Sequence, residues 1–99
     1  MNIQKTVDGS AMTIALEGRL ETTTAPELET VVRNELGGIT ALTFDFSKLE
    51  YISSAGLRVI LTAQKTMKKQ GSMKVTGANE IVMEVFELTG FADIIDIES

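Results

Sequence analysis

Two adjacent hydroxyls, Ser53 and Ser54, stand where an alternating apolar stretch gives way to a helical one. After them Gly56, Val59, Ile60, Ala63 and Met67 fall at helical spacing on one face. Before them Leu42, Phe44 and Phe46 alternate with Ala41, Thr43 and Asp45, the period of a half-buried strand. A serine at such a seam suits a helix N-cap, where its oxygen accepts a bond from an otherwise unpaired backbone N–H. The same geometry shows the hydroxyl to solvent at the positive end of the helix dipole, where added negative charge is tolerated. Two readings fit the pattern, a cap that only starts a helix and a hydroxyl displayed to solvent, and the capping pattern alone favours the first.

Ser54, Arg58, Leu61 and Lys65 recur along one side of that helix. A serine, an arginine and an aliphatic residue side by side suit a protein interface with an apolar centre and a charged rim. Leu61 fits the edge of the core and an exposed interface equally well. Other chemistries find no residues. The chain has no histidine and no cysteine, which removes imidazole acid–base catalysis, thiolate nucleophiles, disulfides and the usual zinc ligands. Gly37-Gly38 lacks the lysine and hydroxyl of a phosphate-cradling loop, and no Gly-x-Ser-x-Gly elbow exists. Asp45, Glu50, Asp93 and Asp96 match no calcium-loop spacing. Lys65, Lys68 and Lys69 suit the negative end of a helix better than a phosphate site. The expectation is a binding protein and not an enzyme.

The elements that position the serines can be read in order. Asn2 to Val7 reads as a strand, with Ile3 and Val7 on one face, and Asp8-Gly9 as a hairpin turn. Met12, Ile14 and Leu16 mark a second, antiparallel strand that Gly18 ends. Thr24 and Glu27 have the spacing of a capping box, with Pro26 in the first turn of a helix. Leu28, Val31, Val32 and Leu36 form its apolar stripe and Gly37-Gly38 its stop. Leu42 to Phe46 is the third strand, followed by a short loop, the serine seam and a helix to about Gln70, closed by Gly71. Met73 and Val75 mark a fourth strand ending at Gly77. Asn79 caps a third helix with a stripe of Ile81, Val82, Val85 and Leu88, stopped by Gly90. Phe91 to Ile97 holds a short last strand or strand-like tail, with Ile94 and Ile95 packed.

Ninety-nine residues are enough for one core and too few for two. The fold class expected is α/β: a single domain in which an N-terminal β-hairpin joins a mixed sheet of four or five strands packed with three main helices. Clean alternation in the strands predicts a sheet covered mainly on one face. A net charge of −5, from 14 acidic and 9 basic residues, disfavours nucleic-acid binding and is compatible with a basic protein partner. The N-terminus lacks the apolar run of a signal peptide and no segment approaches a membrane span, so the expected setting is cytoplasmic, away from the membrane.

Tyr51-Ile52-Ser53-Ser54-Ala55-Gly56-Leu57-Arg58-Val59-Ile60-Leu61 resembles the signature of the STAS domain family, the bacterial anti-sigma factor antagonists. In the family's commonest motif an aspartate and two serines precede Gly-Leu, and the first serine accepts phosphate. Here Ser53 stands at the aspartate position, Ser54 at the acceptor position and Ala55 at that of the second serine. Gly18-Arg19-Leu20-Glu21 and the Ala25-Pro26 helix start resemble a second family segment, with Glu21 where aspartate is common. The resemblance covers nearly the whole chain and implies one STAS domain over residues 1–99. It implies phosphorylation at Ser54, with Ser53 the second choice because it places a second hydroxyl where a carboxylate is usual. It also implies a partner-binding surface containing Glu21, Thr22, Ser53, Ser54, Arg58 and Leu61, with Arg19 nearby.

The implied function is that of an anti-sigma factor antagonist. The unphosphorylated form binds an anti-sigma factor serine kinase and frees the sigma factor; phosphorylation releases the partner, and a serine phosphatase restores binding. ATP belongs to the kinase, so this chain needs no cofactor. A monomer or weak dimer is expected. The alternative is a STAS interaction module without a phosphorylation cycle, serving a signalling assembly or lipid or anion transport machinery.

Overall fold

Gly9 takes φ +63°, and the two-residue turn it shares with Ser10 folds β1 (Asn2–Asp8) back on β2 (Ala11–Leu20) as an antiparallel hairpin. In this computed structural model, which describes residues 1–98, the chain continues through α1 (Ala25–Glu35), β3 (Ala41–Ile52), α2 (Ser54–Gln70), β4 (Ser72–Thr76) and α3 (Glu80–Thr89). A 3-10 turn (Phe91–Asp93) and β5 (Asp96–Glu98) follow. The five strands form one sheet in the order β1-β2-β3-β4-β5, parallel from β2 to β5. The expected mixed sheet with three helices is therefore observed.

Burial shows why the sheet is one-sided. Ile14 and Leu16, Leu42, Phe44 and Phe46, and Met73 and Val75 are buried and join one core with Leu28, Val32, Ile60, Ala63 and Met67 from the helices. The alternate residues Thr13, Ala15, Thr43, Asp45, Lys74 and Thr76 are only half-buried. Phe46 packs between Phe44, at 5.9 Å between ring centroids, and Phe86 of α3, at 6.2 Å; such offset aromatic pairs add to plain burial.

Several sequence expectations are corrected. The third strand does not stop at Phe46, and no loop precedes the serines: β3 runs to Ile52. Its register against β2 slips twice, so that Ala15 pairs Asp45 but Glu17 pairs Lys48, and Gly18 pairs Leu49 but Arg19 pairs Tyr51. Each slip inserts one extra residue on β3. The core side therefore passes from Phe46 to Leu49 and then to Ile52, an odd spacing that hides the strand from a period-two reading. Gly18 does not end β2 either. It sits at the second slip with φ +105°, a backbone that glycine adopts without a Cβ clash, and the strand continues to the buried Leu20.

The capping box at Thr24 does not form. Thr24 already has helical backbone angles (φ −107°, ψ −22°), whereas a capping residue needs an extended one to turn its oxygen onto the helix. Its hydroxyl instead accepts from the Glu21 N–H at 2.9 Å and donates to the Arg19 carbonyl at 2.8 Å. The first N–H groups are met by the Glu21 carbonyl, at 3.0 Å from Thr24 N and 2.7 Å from Ala25 N.

Asn79 caps α3 as expected, accepting from Val82 N at 2.8 Å, but the buried stripe is phased differently. Val82 and Phe86 are buried, Val85 is half-buried, and Ile81 and Leu88 are 56% and 79% exposed. In α3 six of ten residues are apolar (Ile81, Val82, Met83, Val85, Phe86, Leu88), so periodicity alone cannot say which flank meets the sheet. Val7 and Ile94 are likewise exposed, while Ile95 is buried.

Candidate functional site

The serines sit where β2 and β3 end together. Ser53 N donates to the Leu20 carbonyl at 2.9 Å, extending the β2–β3 ladder by one bond. That bond holds Ser53 extended (φ −98°, ψ 176°), the conformation an N-cap needs. Its hydroxyl accepts from Gly56 N at 3.4 Å, and its carbonyl from Leu57 N at 2.9 Å. Ser53 is thus the cap, and Ser54 is the first helical residue. Ser54 is exposed, and its hydroxyl forms no hydrogen bond among the described residues.

Gly56 explains how α2 starts so close to the sheet. A Cβ added there would lie 2.6 Å from Leu20 Cγ and 3.0 Å from Ile52 Cγ1, inside van der Waals contact. Helix and strand ends therefore touch at a position only glycine fills, and this contact fixes the direction in which Ser54 projects.

Of the site residues expected from sequence, the structure brings some together. Arg58, exposed one turn beyond Ser54, lines a groove of about 270 Å³ between α1 and α2, and Thr22 lines its far wall beside Ala25 and Pro26. Leu61 is half-buried on the other flank of α2, where it lines a separate groove with Gln64, Met73 and Ile94. The ridge carrying Ser54, Arg58 and Lys65 separates the two grooves. Glu21 lines neither groove. Its carboxylate pairs with Arg19 at 3.1 Å, and Arg19 lies 4.5 Å above the Tyr51 ring.

Sequence reasoning missed Tyr51 as the platform for Arg19, because it placed Tyr51 in a loop instead of the last turn of the pleat. It also passed over Glu29 and Arg33, which rim the Thr22–Arg58 groove and pair at 2.9 Å; their i,i+4 spacing was the available signal. Among the described residues no group of three or more carboxylates converges as a metal site, and no helix is long and apolar enough to cross a membrane.

Near Asp45, on the open side of the sheet, the Ser47 N–H donates to the carboxylate at 3.0 Å. That bond, helped by the Ser47 side chain and by Lys48, holds the Asp45 carboxyl below its ordinary value.

Comparison with known proteins follows the same lines. BtrV of Bordetella bronchiseptica is 36% identical over 94 residues, covering 92% of this chain and 79% of BtrV. The anti-sigma-B factor antagonist of Listeria monocytogenes is 30% identical over 105 residues, covering all of this chain and 91% of that protein. The Bacillus cell fate determinant SpoIIAA in its phosphorylated form superimposes with a TM-score of 0.77 at 17% identity, over 99% of this chain and 92% of SpoIIAA. The family model described as STAS domain matches residues 2–99. With a match of that extent, the chain belongs to the STAS domain family.

Proposed function

We propose that this chain is an anti-sigma factor antagonist whose unmodified form binds an anti-sigma factor serine kinase and is released by phosphorylation at Ser54. The observation that carries the reading is the division of labour between the two serines. Ser53 is spent on capping α2, while Ser54 shows a free hydroxyl to solvent at the helix start. The Listeria relative is named an anti-sigma-B factor antagonist, and the fold-level neighbour SpoIIAA is known in unphosphorylated and phosphorylated forms; both names support the reading.

The chemistry is a phosphoryl transfer. The Ser54 oxygen bonds to the terminal phosphorus of ATP, the bond to the departing ADP breaks, and the hydroxyl proton passes to a base on the kinase. ATP and its metal belong to the kinase, and this chain acts without a cofactor or catalysis of its own. The product carries about −1.5 to −2 charges. Free N–H groups at the start of α2 accommodate them, whereas a packed interface does not. A dianion beside an acidic or desolvated partner surface costs on the order of several kcal/mol. Thr22, Arg58 and Leu61 supply the rest of the contact surface, Glu21 and Ser53 its margin. A serine phosphatase resets the switch in the cytoplasm, and the chain acts as a monomer or weak dimer.

The test is intact mass after incubation with anti-sigma factor serine kinases and ATP. Wild type and Ser53→Ala gain one phosphoryl group and Ser54→Ala gains none. Labelling that survives Ser54→Ala but not Ser53→Ala would reassign the acceptor, and no gain with any kinase would remove the switch.

A further inference from the structure

Cation pairing divides by element. Lys5, Arg19, Arg33, Lys48 and Lys74 each have a carboxylate oxygen at 2.8 to 3.9 Å. The remaining four of the nine cations, Arg58, Lys65, Lys68 and Lys69, have none among the described residues. All four lie on α2, a helix without a single acidic residue. Lys68 and Lys69 occupy its last turn, where the unpaired carbonyls favour positive charge. Arg58 stands at the opposite end, where the dipole gives it nothing. In a chain of net charge −5, an exposed arginine left unpaired there is available to an anion that the unmodified fold does not contain.

Ser54 and Arg58 are four residues apart at the start of one helix, so their Cβ atoms lie about 5–6 Å apart on the same flank. Both side chains are exposed. Anion first and cation four residues later is the favourable order along a helix. We infer that Arg58 is the internal partner of the phosphate on Ser54: once modified, the serine closes onto the guanidinium, whose N–H groups donate to two phosphate oxygens as a two-bonded phosphate–arginine pair. The planar fork of arginine matches two phosphate oxygens, which a lysine ammonium at this position would meet only as a point charge.

The pair makes the switch two-sided. Unmodified, the ridge offers a partner a neutral hydroxyl and a free cation bordering the Thr22 groove. Modified, it offers a dianion and withdraws the cation into its own helix. Release then follows from a lost attraction as well as an added repulsion, from a single covalent event.

This inference rests on Ser54 being the modified residue, and its test does not need a kinase. Phosphoserine is placed at position 54 of the full chain during translation by stop-codon suppression, and the second phosphate ionisation is followed by phosphorus NMR. In the native context it lies below that of free phosphoserine, near 6, by about half a pH unit. Arg58→Gln restores most of the difference and Arg58→Lys part of it. An identical value in all three chains assigns the depression to the helix end alone and overturns the pair. Should Arg58→Gln fail to fold, the Arg58 Nε–H resonance of the native sequence decides. A shift that titrates with the phosphorus signal supports the pair, and an unmoved resonance sinks it. A chain that no kinase modifies would remove the proposed function and still leave this pairing measurable.

Discussion

Ser53 and Ser54 differ by one position and by everything that position determines. The first is held extended by its bond to Leu20 and spends its oxygen on Gly56. At 3.4 Å that bond is long, so Ser53→Ala is expected to cost about 0.5 kcal/mol, the low end for a lost N-cap. Gly56→Ala is the severe change at this site. Alanine gains roughly 1 kcal/mol in helix propensity, but its Cβ would meet Leu20 and Ile52 at 2.6 and 3.0 Å. Both are fully buried and neither has room to retreat. Overpacking of this kind costs about 1–3 kcal/mol, so Gly56→Ala is expected to lower the urea midpoint relative to wild type. A midpoint unchanged or raised would show that α2 does not start against the strand ends.

At the scale of elements, what a sequence displays depends on how regular the element is. α2 was legible from start to stop because a serine at the seam, the Gly56-to-Met67 stripe and Gly71 all agree on one helix; that Ser53 and not Ser54 is the cap came from the structure. The positions of Ser54, Arg58 and Lys65 along one ridge were legible for the same reason, needing only helical periodicity; Leu61, grouped with them by spacing, falls on the flank of the other groove. β3 was half legible, because two inserted residues break its alternation at the point where the site begins. Thr24 misled because a hydroxyl three residues before a glutamate says nothing about the backbone angles that decide where it turns.

The first irregularity of β3 carries a pH signature. The Ser47 N–H beside it is bonded to Asp45, whose carboxyl is held below its ordinary value chiefly by that bond. A group depressed in the folded state contributes stability that is fully present above the ordinary carboxylate range and fades as pH falls through it toward the folded value. The stability gap between wild type and Asp45→Asn is therefore expected to be constant above about pH 5 and to close below about pH 4. A gap that stays constant into acid would mean the Asp45–Ser47 bond does not persist in solution. The phase of α3 gives a second test. Phe86→Ala empties a site between the helix and Phe46, and is expected to cost about 3–5 kcal/mol. Leu88→Lys, on the exposed flank, is expected to stay within about 0.5 kcal/mol of wild type. The sequence pattern alone, with Leu88 in the buried stripe, requires Leu88→Lys to be costly, so denaturant curves of the two variants separate the phases.

The whole molecule has to survive the proposed switch. The described residues share one core under one sheet face, so a group that destabilised α2 would be felt throughout this fold. Position 54 avoids this in three ways. Its side chain is outside the core, its hydroxyl supports no bond that modification would break, and the N–H groups it borders prefer negative charge. Phosphorylation takes the chain from −5 to about −7, which raises general self-repulsion only slightly at physiological salt, where charges beyond roughly 8 Å are screened. The helix-end attraction, about 0.3–1 kcal/mol, outweighs it. The phosphoserine-54 chain and Ser54→Asp are thus both expected to melt at or above the wild-type temperature, by no more than a few degrees. One kcal/mol corresponds to about 4–8 °C in a domain of this size. The gain should shrink in 1 M salt, where the helix-end term is screened. A phosphorylated chain that melted more than about 5 °C below wild type would place the effect of modification on the scaffold instead of the interface. Partner release would then follow from local unfolding of α2, and the rigid-ridge description of the site would fail with it.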